Sequence, residues 1–461
     1  MLFSSVPFLY YFLPAVLIAY FLAPWKLKNT VLLLSSLIFY GWGEPKLLGL
    51  MIFTIALFYF CGLAIGRQEK QGMKKFWLLV SVVTGVALLG LFKYADFFVE
   101  SFNALTGLGI PMLRLALPVG ISFYTFQSLS YTIDVYRGTV LPQKNILSFG
   151  TYVSMFPQLI AGPIVRYSDI ARQLESRSHS WEEFFLGMRR LLVGLGKKVI
   201  LSDNFALLIK LFRESEEKSG LFYWLYAISF LFHIYYDFSG YSDMAIGLGR
   251  MFGFQFPENF NYPYLSRSVT EFWRRWHMTL GGWFRYYVYI PMGGNRVSPS
   301  RWVFNILTVW MLTGLWHGAA WNFVLWGLFF GIFLMIEKGI PGLQKLPALL
   351  RHVYVLLAVI LSFVLFNADS LSMAAEDFAG LFGLSGLPGV SVPAVYYLKS
   401  YAVLFGLGIL GSTPVVKQGA IRIGNTKIGS ALELVALAIL LLVCTAYLVD
   451  GSFSPFLYFR F

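Results

Sequence analysis

Apolar stretches, several of them close to twenty residues long, recur from the first line of this chain to the last, and no other feature limits its folding as strongly. They cover residues 30–41, 47–65, 76–92, 117–136, 221–249, 302–316, 320–336, 353–366, 395–410 and 432–448, besides one at the N-terminus. A helix needs about 20 such residues to cross the roughly 30 Å hydrocarbon layer of a bilayer. Inside that layer only a helix or a closed barrel satisfies its own backbone. Of the 461 residues, 57% are hydrophobic and only 13% charged, too few charges to coat a water-soluble surface. The expectation is an all-α polytopic membrane protein, a single domain over 1–461 with about 11–12 spanning helices.

Basic residues set the expected topology, because cytoplasmic loops are enriched in Lys and Arg. No basic residue precedes the first apolar stretch, whereas Lys26 and Lys28 follow it, so the first helix is read as retained and starting outside. Arg67, Lys70, Lys74 and Lys75 then lie inside, the 93–111 loop with Asp96 and Glu100 outside, and Arg137 and Lys144 inside. Residues 148–165 are interrupted by Pro157 and Pro163 and suit a re-entrant element shielded by protein. Ser180 and Glu183 form a capping-box pattern at the start of an interfacial helix. An acidic outer loop holds Glu214, Glu216 and Glu217, and the last helix exits so that the 450–461 tail is outside. The net charge of +13 is accounted for by basic cytoplasmic loops, and no basic run is set in a soluble recognition module, which argues against nucleic acid. Cys61 and Cys444 each sit in an apolar segment and make neither a CxxC metal site nor a disulfide framework.

Polar residues within apolar helices are costly and mark candidate function. Tyr124, Gln127, Ser128, Tyr131 and Thr132 make one stripe at helical spacing, suited to helix-to-helix hydrogen bonds or to a cavity wall. His233, Asp237 and Tyr241 fall at i, i+4 and i+8. Tyr is a poor third ligand and no His and carboxylate cluster accompanies them, so no metal is expected; a structural network or a substrate-channel wall remains. Residues 268–285 open on a second capping-box pattern, Ser268 and Glu271, and carry Arg274, Arg275, Trp276 and His277. They suit either an amphipathic anchor or a cationic mouth for a phosphate-bearing donor such as coenzyme A. His317 lies between Gly314 and Gly318, which permit close approach. It is a satisfied core histidine or a neutral base.

Five strings together resemble the membrane-bound O-acyltransferase family, and within it the alginate O-acetylation branch. They are GISFYTFQSLSYTIDVYRG from Gly120, FPQLIAGPIVRY from Phe156, YYDFSGYSDMAIGLG from Tyr235, PENFNYPYLSRSVTEFWRRWHMTL from Pro257 and GLWHGAAWNFVLWG from Gly314, with core motifs over 117–336. The resemblance implies a ring of helices around a tunnel in the bacterial cytoplasmic membrane. It makes His317 the catalytic histidine and His277 the second signature position. Asp237, Tyr241, Asn259, Arg274, Arg275, Trp276 and Trp316 become candidate substrate-binding residues. It implies acetyl-CoA as a substrate rather than a resident cofactor, and an extracellular polysaccharide reached through an extracytoplasmic acetyltransferase of the SGNH type. The related D-alanine branch for teichoic acids shares the DFxGY, PENF, RWH and WHG elements and takes its acyl group from a carrier protein. A transporter would also need polar stripes and re-entrant elements, but not the paired RWH and WHG motifs.

The tail carries Phe456, Tyr458, Phe459 and Phe461, apolar surface where a solvated tail is polar. A small protein of the D-alanine system has a similar aromatic tail whose tyrosine relays the acyl group, and by that resemblance Tyr458 is a candidate relay. Tyr458→Phe keeps the aromatic anchor and removes the nucleophile. The expected outcome is loss of polysaccharide acetylation with unchanged membrane insertion; a normal rate would make the tail an anchor only.

Overall fold

The computed structural model describes residues 2–160, 162–424 and 426–450, which are helices and connecting turns with no β-strand among them. Tyr458 lies outside the described residues. The chain falls into two compact units, Met1–Leu191 with Ser242–Pro257, and Leu192–Tyr241 with Glu258–Phe461. Among the described residues five helices have the length and apolarity of a membrane span: Pro45–Arg67, Gln71–Thr106, Trp321–Gly339, Ala348–Asn367 and Lys427–Val449. Val392–Ser400 and Ala402–Gly411 form a sixth if taken as one span, but they are bent by 54° where the sequence suggested one straight segment. The other helices are shorter, like Ile146–Ser154, or dotted with polar side chains, like the 32-residue Gly220–Met251.

In the first unit, small residues let helices approach closely. A Cβ on Gly62 would lie 2.3 Å from the Tyr131 ring, and one on Gly247 would lie 2.5 Å from the Gly187 carbonyl oxygen. Residues 93–106, expected as loop, continue the preceding helix through a wider turn at Gly90–Tyr94. Part of the polar stripe makes helix-to-helix hydrogen bonds. The Ser81 hydroxyl donates to Thr132 (3.0 Å) and the Gln143 N–H to the Tyr131 hydroxyl (3.0 Å), tying segments together. Tyr124, Gln127 and Ser128 are buried, and their side-chain polar atoms have no hydrogen-bond partner among the described residues. Residues 146–159 are two short helices broken at Met155, with Pro157 in the first turn of the second; the nine-residue first helix, about 14 Å at 1.5 Å per residue, is too short to cross a bilayer.

The Ser180 pattern is half formed. The Ser180 hydroxyl accepts from the Glu183 N–H (3.1 Å), but the Glu183 carboxylate is taken by Arg250, a charged donor that outcompetes a single amide. Arg177, which the sequence did not single out, gathers the Tyr20 hydroxyl (2.8 Å), the Phe252 carbonyl (3.0 Å) and the Asn29 side-chain oxygen (2.8 Å).

The second unit is built on an aromatic core. Phe272, Trp276, Tyr264, Phe330 and Trp326 pack with ring centroids about 5–6 Å apart. Within this unit Lys198 Nζ is 2.7 Å from both Asp203 and Asp237, with the Lys198 and Asp237 side chains each 1% exposed. Breaking a buried pair leaves an uncompensated charge, costing about 3–5 kcal/mol. Lys198→Ala is expected to lower the unfolding temperature of detergent-solubilised protein markedly. Substituting Lys198, Asp203 and Asp237 together by neutral residues is expected to recover part of the loss; an unchanged temperature in the single variant would contradict the assignment.

Candidate active site

Two helices, Pro299–His317 and Trp321–Gly339, form a hairpin with its connection at 318–320. Their backbones touch. A Cβ on Gly314 would stand 2.1 Å from the Phe323 carbonyl oxygen, and one on Gly327 would stand 2.1 Å from that of Trp310. His317 is the last residue of the first helix, so this contact places its imidazole at the turn. The side chain is buried, with ring centroids 4.9 Å from Trp326, 5.1 Å from Trp316 and 5.5 Å from Phe366.

The second histidine arrives on a different kind of support. The Val269–Arg275 helix starts at Ser268, whose hydroxyl accepts from the Glu271 N–H (2.9 Å). Its first turn is also capped by the buried Glu337 carboxylate, which accepts from the Val269 N–H, the Thr270 N–H (2.9 Å) and the Thr270 hydroxyl (2.7 Å). An anion is favoured at a helix N-terminus, where backbone N–H groups lack partners. The Glu271 carboxylate accepts from the Arg267 N–H (2.9 Å) and from Arg275 (3.0 Å).

After Arg275 the chain extends through Trp276 and reaches His277 in the left-handed region (φ 42°, ψ 52°) before Met278–Phe284 begins. A non-glycine residue there costs on the order of 1–3 kcal/mol and persists only where its surroundings hold it. Backbone bonds from Asn261 N to Arg275 O (2.9 Å) and from Met278 N to Asn259 O (3.0 Å) supply the hold. The Asn259 side-chain oxygen lies 3.1 Å from His277 Nδ1, 2.8 Å from the Thr279 hydroxyl and 3.3 Å from the Thr279 N–H.

The two histidine rings are 6.3 Å apart between centroids, with Trp316 5.7 Å from His277 and Phe238 edge-on to it at 4.6 Å. Burial pushes His277 down to about 3, so its ring is neutral at any physiological pH. A buried imidazole among aromatic rings, as at His317, can take up and return a proton with little access for a competing nucleophile, while the neutral His277 ring beside it can accept a hydrogen bond.

Of the residues singled out in the sequence, His277, His317, Trp316 and Asn259 come together here. Trp276 packs in the aromatic core, Asp237 is held by Lys198, and Tyr241 is buried on the same helix as Asp237. The Arg275 guanidinium is engaged by Glu271 (2.9 Å) and the Asn261 carbonyl (3.2 Å), whereas Arg274 is exposed. Glu337 was not anticipated. Its only signal was an acid near the end of an otherwise apolar helix.

The profile of the membrane-bound O-acyltransferase family matches residues 37–375, which include both histidines and their supports. The chain belongs to the membrane-bound O-acyltransferase family. It is therefore an acyltransferase and a multi-pass membrane protein. It is 39% identical to the Probable alginate O-acetylase AlgI of Azotobacter vinelandii over all of both chains. The identity is 41% to the protein of that name in Pseudomonas aeruginosa, over 88% of this chain and 82% of that one. It is 34% to the Peptidoglycan O-acetyltransferase of Helicobacter pylori, over 84% and 81%.

The backbone contact of the hairpin predicts the behaviour of this acyltransferase. Gly314→Ala is expected to destabilise it by about 1–3 kcal/mol, as overpacking does, and to displace His317, lowering acyl transfer. Gly339→Ala, with nothing within 4 Å of the added methyl, is expected to change neither unfolding temperature nor rate.

Proposed function

We propose that this acyltransferase takes an acetyl group from cytoplasmic acetyl-CoA and passes it across the membrane for O-acetylation of an extracellular or cell-wall polysaccharide, through an extracytoplasmic acetyltransferase partner. The observation that carries the reading is the pair of buried histidine rings 6.3 Å apart in a chain that resembles alginate and peptidoglycan O-acetyltransferases over most or all of its length. A full-length relative at 39% weighs more than the Teichoic acid D-alanyltransferase of Bacillus subtilis at 27% over 53% of this chain, which favours acetyl over D-alanyl. The protein sits in the bacterial cytoplasmic membrane with both termini outside, as the basic loops suggest.

In this reading the thioester carbonyl lies beside His317. A hydroxyl attacks the carbonyl carbon, and His317 accepts its proton as the oxygen–carbon bond forms. The carbon–sulfur bond then breaks and the imidazolium returns the proton to the departing sulfur, leaving His317 neutral for the next cycle. Exclusion of water protects the thioester from hydrolysis. Exposed Arg274 offers a cation to the donor's phosphates, and Tyr458 is the first acceptor of the acetyl group.

Purified protein with isotopically labelled acetyl-CoA tests the reading. His317→Ala is expected to lower acetyl transfer by about 10²- to 10⁴-fold while the variant still unfolds at the parental temperature. Arg274→Ala is expected to raise KM for acetyl-CoA with little change in kcat. Full activity in folded His317→Ala would refute the assignment of the base.

A further inference from the structure

The partners of Asn259 determine more than the position of His277. A backbone N–H can only donate, and the Thr279 N–H points at the Asn259 side-chain atom that also faces His277 Nδ1. That atom is therefore the carbonyl oxygen of the carboxamide, an acceptor. The Thr279 hydroxyl, at 2.8 Å, donates to it as well. A nitrogen 3.1 Å from such an oxygen must carry the hydrogen, so His277 Nδ1 is the N–H of its ring.

A neutral imidazole has one N–H. Buried and with Phe238 edge-on to its ring, His277 stays neutral, so Nε2 is left with its lone pair. Nε2 is buried and has no hydrogen-bond partner among the described residues. The left-handed backbone at 277 and the Met278 N–H to Asn259 carbonyl bond keep ring and carboxamide in register.

We propose that Asn259 is a positioning residue, which fixes His277 as the tautomer protonated on Nδ1 so that Nε2 presents a lone pair inside the cage shared with His317. This rests on the acyl-transfer reading above and deepens it. In this tautomer His277 accepts a hydrogen bond from substrate, from the attacking hydroxyl or from an amide N–H of the donor. It does not donate to the developing oxyanion, which must be stabilised elsewhere.

The test is nitrogen NMR on detergent-solubilised protein carrying ring-¹⁵N histidine, with the His277 signals identified among the five histidines by their loss in His277→Gln. The expected spectrum has the proton on Nδ1. Asn259→Leu should shift the signal towards the other tautomer and lower kcat by on the order of 10²- to 10⁴-fold, the scale of a mis-set catalytic tautomer. Asn259→Asp keeps an acceptor oxygen in place, and should keep the Nδ1 proton and lose much less activity. A parental spectrum with the proton on Nε2 would overturn the proposal, as would equal losses in the Leu and Asp variants when both fold. Absence of any acetyl transfer from labelled acetyl-CoA in the parental protein would instead refute the acyl-transfer reading and leave the spectrum as it is, so the two failures are separable.

Discussion

The backbone-to-backbone contact between the helices Pro299–His317 and Trp321–Gly339 is the constraint on which the site depends. It exists only because Gly314 and Gly327 have no side chains where the opposing carbonyls of Phe323 and Trp310 pass. In a bilayer, where lipid tails are as apolar as leucine, helices associate largely through such close packing. The same contact presents the Trp321–Gly339 helix so that Glu337, near its far end, caps the helix leading to His277. One hairpin thus carries His317 at its turn and anchors the segment that carries His277.

Charge is used sparingly in the described interior, and each buried ionic group that bears on the architecture is compensated locally. Lys198 bridges two aspartates, Arg213 makes a two-pronged pair with Asp377 (2.7 and 2.6 Å), and Glu337 sits on a helix N-terminus. The cage around the histidines is the contrast. It is lined by the aromatic rings of Phe238, Trp316, Trp326 and Phe366. Within it His277 Nε2 is buried and has no hydrogen-bond partner among the described residues.

Much of this was legible in the sequence, for identifiable reasons. Long apolar runs announced helices, because a bilayer permits few alternatives, and the RWH and WHG strings located both histidines. What escaped depends on which side chains become partners, near in the chain or far. Ser180 and Ser268 cap as their spacing suggests, but the reciprocal acid of the first is captured by Arg250 and that of the second by Arg267 and Arg275. Spacing did not show that Arg275 pairs with Glu271, one turn away, or that Trp276 packs against Phe272. Asn259 was legible as part of a motif, but its role required knowing which atom faces which. The bend at Tyr401 left no proline or glycine at that residue to betray it.

The helix Gln71–Thr106 has a mechanical consequence for the surface of the bilayer. Its 36 residues span about 54 Å at 1.5 Å per residue, against roughly 30 Å of hydrocarbon. The apolar run ends near Lys93, and the helix continues for about another 20 Å from there to Thr106. Asp96 secures this projection by accepting the backbone N–H groups of Leu113 and Arg114 at 2.7 and 2.9 Å, so the returning chain is strapped to it. A helix that outruns the hydrocarbon by about 24 Å must tilt or carry its last turns beyond it, and the chain strapped to Asp96 goes with those turns.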